Sequence, residues 1–178
     1  MYIQTINKND INSIPCFDLT EIINGLEIMG PSPFFRHQDI SRNILEKILL
    51  HLRKNNTGKI YYSPLDVIFE DGINRLQPDL VFVKNENMDI VQDWIRGVPD
   101  MVCEIVSDGS YSMDTATKKD IYERYKVPEY WIVIPKTETV TILTIENGQY
   151  EIFSFSKGQG VVRSKVIEGL EINISDIF

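Results

Sequence analysis

Two stretches of the chain carry the apolar spacing of amphipathic helices. Between about Arg36 and Lys54, apolar residues recur at steps of three and four positions and therefore line one helix face. These residues are Ile40, Ile44, Leu45, Ile48, Leu49 and Leu52. A second helix is predicted from about Met113 to Tyr125. It must stop near Val127, because Pro128 disfavours helical geometry in the residue before it.

Alternating and short apolar runs predict strands on either side of these helices. "LTEIINGLEIM" and "TVTILTIENGQYEIFSF" each place Asn-Gly between two apolar-rich arms, a hairpin signal because Asn-Gly adopts the positive φ angles of a type I′ turn. Further strands are predicted in "KIYYSPLDVIFEDG", as two short pieces around Pro64, in "QPDLVFVKN" and in "EYWIVI". The C-terminal "LEINISDIF" is predicted to end in a short helix.

The order of these elements predicts the fold class. A helix, then strands, then a strand–helix–strand unit favours an α/β (α+β) protein with a mixed central β-sheet flanked by helices and additional β-hairpins, not a sandwich. The 178 residues suit a single domain over residues 1–178, with no repeat or linker that divides them.

The charge of the chain limits its partners. The formal net charge is −8, from 18 basic and 26 acidic residues. This balance opposes tight, non-specific binding to DNA, which depends on Lys and Arg neutralising phosphates. Net charge does not describe a local site, however, and an acidic chain can present a basic lip or bind a polyanion through metal ions.

The expected location is the cytoplasm. No stretch approaches the roughly 18 apolar residues of a membrane span, and "MYIQTINKND" lacks the basic and apolar regions of a signal peptide. Cys16 and Cys103 form no CxxC pair and indicate reduced thiols, although the sequence leaves a disulfide open.

A carboxylate interrupts the apolar run "PDMVCEIVS". Strand alternation puts Val102, Glu104 and Val106 on one face. A buried, isolated carboxylate is so unfavourable that we expect Glu104 to be paired, bound to metal or protonated. One pairing that the sequence allows is a structural ion pair with Lys118.

A second strand repeats this feature. In "QPDLVFV", Asp79 precedes an apolar run, and Pro78 stands at the strand entrance, where a missing N–H is tolerated. If the two strands are adjacent, Asp79 and Glu104 lie side by side, and a divalent cation would relieve their repulsion. Taken alone, an acid in the position of Asp79 is more often a solvent-accessible residue at the start of a strand than a metal ligand.

The second predicted helix supplies a positive group. In "MDTATKKDIYERY", Asp114, Lys118 and Tyr122 are spaced by four and share one helix face, whose first turns can reach the end of the Glu104 strand. Two carboxylates that bind Mg²⁺ or Mn²⁺, with a lysine beside them, are the parts needed to hydrolyse a phosphodiester. Asp114 is equally compatible with a helix N-cap or first-turn acid, and Tyr122 with a core aromatic.

Taken in order, these motifs resemble a known family. "EIINGLEIMGPSP", His37, "SPLDV", "QPD", "PDMVCEIVS", Asp114-x3-Lys118-x3-Tyr122 and "VPEYWIV" are similar to the Uma2 family, a branch of the PD-(D/E)XK, restriction-endonuclease-like superfamily. The resemblance extends roughly from Thr20 to Pro135. An ordered series of this length is far more specific than the short PD-(D/E)XK motif alone.

The resemblance implies a Mg²⁺-dependent (or Mn²⁺-dependent) DNA endonuclease. It assigns metal ligation to Asp79 and Glu104. The superfamily lysine is expected two residues after Glu104, where this chain has Val106. Lys118 on the following helix is then the catalytic candidate. Lys119 is not, because it points about 100° around the helix axis from the face that carries Asp114 and Tyr122.

Several other residues are expected to support the site. His37 would lie at the mouth of the cleft, Gln77 would orient a carboxylate or bind a phosphate, and Glu27 would act in the outer shell of the metal. Asp114 and Tyr122 would support the lysine. The resemblance also implies a homodimer. The hairpin of residues 142–155 is a candidate docking surface, because it alternates strongly and lies outside the motif region. The alternatives are a non-catalytic interaction module on a nuclease scaffold, and a hydrolase acting on RNA or other phosphoesters.

Overall fold

Residues 20–29, 32–107 and 109–178 are described in the computed structural model of the protein. Cys16 lies outside the described residues, whereas Cys103 is a buried free thiol. The predicted fold class is confirmed, since helices pack against mixed β-sheets.

The described residues form thirteen strands. In chain order they are β1 (Thr20–Ile23), β2 (Leu26–Met29), β3 (Gly58–Tyr62), β4 (Val67–Glu70), β5 (Asn74–Leu76), β6 (Leu80–Lys84), β7 (Ile95–Arg96), β8 (Met101–Ile105), β9 (Glu129–Ile134), β10 (Thr139–Glu146), β11 (Gln149–Lys157), β12 (Val161–Arg163) and β13 (Glu171–Asn173). Both Asn-Gly hairpins are confirmed: β1 pairs with β2 around Asn24 and Gly25, and β10 pairs with β11 around Asn147 and Gly148. All four turn residues have the positive φ angles that a type I′ turn requires.

The central sheet has six strands in the order β11-β10-β9-β8-β6-β3. Its neighbours pair antiparallel except β8 and β9, which are parallel. A second sheet, in the order β2-β1-β5-β4-β7, was not predicted, and β12 pairs with β13 separately. Strand β5 was missed because its three residues are too few to show a pattern.

The first helix, α1 (Phe35–Asn55), lies within one residue of its predicted bounds. It ends at Asn56, whose φ of 48° is left-handed and whose N–H donates to the Leu52 carbonyl. Three short 3₁₀ turns lie at Asn85–Ile90, Pro135–Thr137 and Ile174–Asp176, and the last is the predicted C-terminal helix.

The second helix, α2, has two parts: a π-helical segment (Met113–Lys118) and an α-helical segment (Lys119–Arg124). The sequence predicts one regular helix here, and the π-helical part was not foreseen. Widened turns of this kind are uncommon and occur frequently at functional sites. Neither α1 nor α2 is long and apolar enough to cross a membrane.

Strand β8 separates two parts of the core. Met101, Cys103 and Ile105 belong to the core region that includes the buried face of α1. Val102 and Val106 belong to a second region that includes Tyr122 of α2. Glu104, between the last two in sequence, therefore shares their side of the strand, which α2 covers.

Candidate active site

Glu104 is buried in the middle of the central sheet. One of its oxygens, Oε1, accepts a hydrogen bond of 2.7 Å from the Tyr122 hydroxyl and another of 3.1 Å from Lys118 Nζ. Glu104 is thus paired, which is one of the three states expected for it, and the ion pair with Lys118 that the sequence allowed is present. The spacing of four residues brings Lys118 and Tyr122 to the same oxygen atom, because both project from one face of α2.

Lys118 is surrounded by carboxylates. Its Nζ lies 2.9 Å from Glu21 Oε1, 3.1 Å from Glu104 Oε1 and 3.7 Å from Asp114 Oδ1. The side chain is nearly inaccessible to solvent. We call Glu21, Glu104, Asp114, Lys118 and Tyr122 the lysine cluster.

The charges of the lysine cluster shift its pKa values. Burial lowers the pKa of Lys118, but the three negative charges around the amine outweigh burial, and the pKa is raised. Lys118 is therefore an ammonium ion at neutral pH. Burial raises the pKa of Glu104 well above its usual value, and although Lys118 lowers it, the nearby Asp114 and Asp79 raise it further. A second cation near Glu104 would favour its ionised form.

Asp79 lies immediately before β6 and faces the end of β8. The β6–β8 pairing aligns Leu80 with Cys103, so one further step of the register aligns Asp79 with Glu104. Asp79 Oδ2 accepts a hydrogen bond of 2.7 Å from the backbone N–H of Ile105. The structure thus brings Asp79 and Glu104 to adjacent positions of neighbouring strands.

His37, in the first turn of α1, contacts Asp79. Its Nε2 lies 3.2 Å from Asp79 Oδ2, and both side chains are mostly buried. Burial lowers the pKa of His37, but the hydrogen bond and the charge of Asp79 raise it more, and the pKa lies above its usual value. A protonated His37 donates to Asp79 and fixes the orientation of this carboxylate.

Two hydroxyl groups fix Asp114 near the start of α2, one through its side chain and one through its backbone. The Ser110 hydroxyl donates to its Oδ2, and the Tyr130 hydroxyl donates to its backbone carbonyl at 2.8 Å. Burial raises the pKa of Asp114, while Lys118 and Ser110 lower it. Asp114 is not the side-chain N-cap that the sequence allowed, since it lies inside the π-helical segment and faces Lys118.

Glu21 is a member of the lysine cluster that the sequence reasoning missed. It stands on β1, and its Oε1 accepts from the backbone N–H of Gln77 at 2.8 Å as well as from Lys118. The sequence did contain a signal for Glu21. This carboxylate interrupts an apolar arm of the first hairpin in the same way that Glu104 interrupts β8. Glu27, proposed instead, is exposed on β2 opposite Ile22 and lies outside this cluster.

Gln77 supports the site differently from the expectation. Its backbone N–H holds Glu21, and its side-chain amide donates to Asp66 Oδ1 at 2.7 Å. Gln77 therefore links the lysine cluster to the second sheet.

The donor set suits a hard divalent cation. Among the described residues, Asp79 Oδ1 and Glu104 Oε2 have no hydrogen-bond or ion-pair partner, so each carboxylate keeps one oxygen for a ligand. Within residues 20–29, 32–107 and 109–178, no group of three or more His, Cys, Asp or Glu side chains is arranged to hold a metal ion. Mg²⁺ does not need one, because it is usually held by one or two carboxylates together with water and substrate phosphates.

Comparisons with known proteins agree with this architecture. A crystal structure of a "putative nuclease belonging to DUF820" from Anabaena variabilis ATCC 29413 superposes with a TM-score of 0.75 at 18% sequence identity, over 98% of each chain. At this identity the likeness shows a shared fold. A search of curated proteins gave no match.

The sequence pattern of one family extends over most of the chain. It matches residues 18–175 and is that of Uma2, described as "Putative restriction endonuclease". The match includes Asp79, the strand that carries Glu104 and the helix that carries Lys118. The protein belongs to the Uma2 family.

Proposed function

We propose that this protein is a Mg²⁺-dependent or Mn²⁺-dependent endonuclease that hydrolyses phosphodiester bonds in DNA. The observation that carries the proposal is the meeting of Asp79, Glu104 and Lys118 at the ends of β6 and β8. Membership of the Uma2 family and the fold shared with a protein described as a "putative nuclease" support the same reaction class.

Asp79 and Glu104 would hold the metal ion through the oxygens that face no protein partner. When bound, the ion would lower the pKa of a water molecule and neutralise the charge of the phosphate. The Ile105 N–H and His37 keep Asp79 Oδ2 occupied and leave Oδ1 for the ion. Lys118 and Tyr122 do the same for Glu104, by binding its Oε1.

Lys118 would act as a fixed positive charge. Because its pKa is raised, the amine does not release its proton near neutral pH and is poorly suited to act as a general base. A permanently charged donor can stabilise the negative charge that develops on the phosphate oxygens during attack. Glu21 and Asp114 would help to position the ammonium group.

Nicking of supercoiled plasmid tests the proposal. With Mg²⁺ or Mn²⁺ the wild-type protein should nick the plasmid, and Asp79→Asn and Glu104→Gln should each lower the rate at least about 100-fold. Glu27→Gln is the matched control, because this exposed carboxylate lies outside the cluster and should leave the rate unchanged. Cleavage that is independent of divalent ions, or that survives both carboxylate substitutions, would refute the proposed mechanism.

A non-catalytic interaction module is the second candidate. Two observations favour it: the acidic net charge of −8, and the departure from the superfamily pattern at Val106. The plasmid assay separates the two functions, since an interaction module leaves the plasmid intact at every divalent-ion concentration. Competition by RNA in the same assay distinguishes a ribonuclease, which RNA would inhibit more strongly than DNA of equal length.

The proposal also includes a cytoplasmic location and a homodimer, and the homodimer rests on the family resemblance alone. Restriction-type nucleases that cut both strands often work as two-fold pairs. Sedimentation velocity at several protein concentrations measures the assembly state directly, and a monomer at every concentration would remove this part of the proposal.

A further inference from the structure

A cavity of about 150 Å³ opens directly beside Asp79. It lies between the first three turns of α1 and the segment Tyr62–Ser63, which ends the edge strand β3. Asp79 is itself one of the lining residues, so the cavity adjoins the proposed metal ligands. Sequence reasoning assigned no role to the other residues that line it.

One part of the cavity is suited to a flat ring. Leu45 packs against the core region that includes the buried face of α1, and it supplies an apolar surface. Tyr62, at the end of β3, is 63% exposed. A volume of about 150 Å³ accommodates one six-membered ring. Exposed aromatic side chains stack on nucleobases with little dependence on base identity. Leu45 and Tyr62 together therefore fit one base.

The other part of the cavity is polar and cationic. Ser41, Ser63 and the Gln38 amide can donate hydrogen bonds, and Arg42 supplies a guanidinium group. Arg42 forms an ion pair of 3.0 Å with Asp39, in which both side chains are largely exposed. Exposed pairs of this kind are weak, so Arg42 can exchange Asp39 for a phosphate oxygen.

The cavity has a fixed position relative to Asp79. The backbone N–H of Ser63 donates to the Asp79 carbonyl at 3.0 Å, and Tyr62 is paired with Leu80 in the β3–β6 ladder. The cavity and the proposed metal ligands therefore lie next to each other at the start of β6. Two adjoining sites of this kind suit two consecutive nucleotides of one strand of DNA.

We infer that this cavity is a nucleotide subsite, which binds one unpaired nucleotide adjacent to the scissile phosphate. The inference rests on the proposed nuclease function and names its substrate class: single-stranded or locally unpaired DNA. A base inside a duplex is stacked on both sides and must leave the stack before it can enter such a cavity. Tyr62 stacks on the base, and Arg42 binds the flanking phosphate.

Fluorescence of 2-aminopurine placed in a single-stranded oligonucleotide tests the subsite. The titration uses Ca²⁺ to slow cleavage, and stacking on Tyr62 should quench the probe. Tyr62→Ala should abolish the quenching and raise Kd about tenfold, and Arg42→Ala should raise Kd by several-fold. Trp94→Ala and Arg163→Ala are matched controls, since Trp94 is exposed and Arg163 is an exposed arginine paired with Glu171. Thermal melting of each variant verifies folding.

The outcomes separate the subsite from the nuclease proposal. If the wild type nicks plasmid with Mg²⁺ but the Tyr62 and Arg42 variants bind as tightly as the controls, the subsite is refuted and the nuclease function stands. Equal affinity and quenching for a perfectly paired duplex would refute the preference for an unpaired nucleotide. A wild-type protein that neither binds the oligonucleotide nor nicks plasmid would overturn both proposals.

Discussion

Lys118 lies within 3.7 Å of three carboxylates, and this arrangement explains how acidic side chains coexist in the interior. A buried carboxylate without a partner is strongly unfavourable, whereas one that shares a cation and accepts hydrogen bonds is tolerated. Glu21, Glu104 and Asp114 are three acids around one cation, and burial together with the nearby Asp114 and Asp79 raises the pKa of Glu104. A divalent ion would supply the further positive charge that favours the ionised form of Glu104.

Removing the amine should destabilise the protein. Lys118→Met keeps the length of the side chain but leaves three acids without their cation, so we expect a loss of about 3–5 kcal/mol in the free energy of unfolding. Urea denaturation at neutral pH measures the loss. Lys119→Met is the matched control, because in the described part of the chain the acids of the cluster form their ion pairs with Lys118 and none with the neighbouring lysine. Equal stability of the two variants would contradict the assigned charge balance.

His37 should make stability depend on pH. Its folded-state pKa is raised above the usual value of about 6.5, so its pairing with Asp79 contributes stability fully below about pH 6.5 and loses it as pH rises through the folded-state pKa. Without divalent ions, His37→Gln should therefore be less stable than wild type at acidic pH, and the difference should narrow at alkaline pH. The same substitution made in Asp79→Asn should show no such trend. A stability difference between wild type and His37→Gln that grows as pH rises would contradict the predicted direction.

At the scale of secondary-structure elements, close contact between β3 and β6 fixes the position of Asp79. Gly58 begins β3, and a Cβ atom built at this position would lie 2.6 Å from Cζ of Phe82 and still closer to the Val83 carbonyl. Neither neighbour can move without disturbing β6, since Phe82 and Val83 are both buried. The position of Asp79 thus depends on a glycine about twenty residues earlier.

Gly58→Ala should therefore weaken the β3–β6 pairing. We expect a loss of about 1–3 kcal/mol in the free energy of unfolding from overpacking. Gly72→Ala separates this effect from backbone strain, because a Cβ at Gly72 would meet nothing within 4 Å and its cost would come from the φ of 72° alone. A Gly58 variant as stable as wild type would show that β3 can shift without cost.

The sequence predicted the elements that depend on local spacing. Both Asn-Gly hairpins, α1, and the approach of Lys118 and Tyr122 to Glu104 follow from alternation and from the four-residue helical step. Glu21 was missed because its place in the cluster depends on docking of the second sheet, between segments almost a hundred residues apart. Glu27 in the same hairpin was predicted instead, and only the tertiary arrangement of β1 and β2 distinguishes the two acids.

The charge of the whole molecule limits how it can bind DNA. A net charge of −8 repels a polyanion at long range, so affinity must come from the local groups around Asp79 and from a bound divalent ion. Arg36 and Arg42 are exposed cations in the first half of α1, the helix that also carries His37.

DNA binding should therefore require divalent ions and depend weakly on salt. With Ca²⁺ in place of Mg²⁺, the slope of log K against log salt for a single-stranded oligonucleotide should be about −2, which corresponds to few phosphate contacts. Fluorescence anisotropy with and without EDTA measures both quantities. Tight binding in EDTA with a steep slope would indicate an extended basic surface, contrary to this account.

The most direct test is a crystal structure of the protein grown with Mn²⁺, measured at the manganese absorption edge. We expect an anomalous peak between the side chains of Asp79 and Glu104, on the oxygens that do not contact Ile105, Lys118 or Tyr122. The peak should disappear in Glu104→Gln, while the fold and the position of Lys118 near Glu21 stay the same. An empty site at millimolar Mn²⁺, or an ion bound elsewhere, would contradict the proposed metal centre.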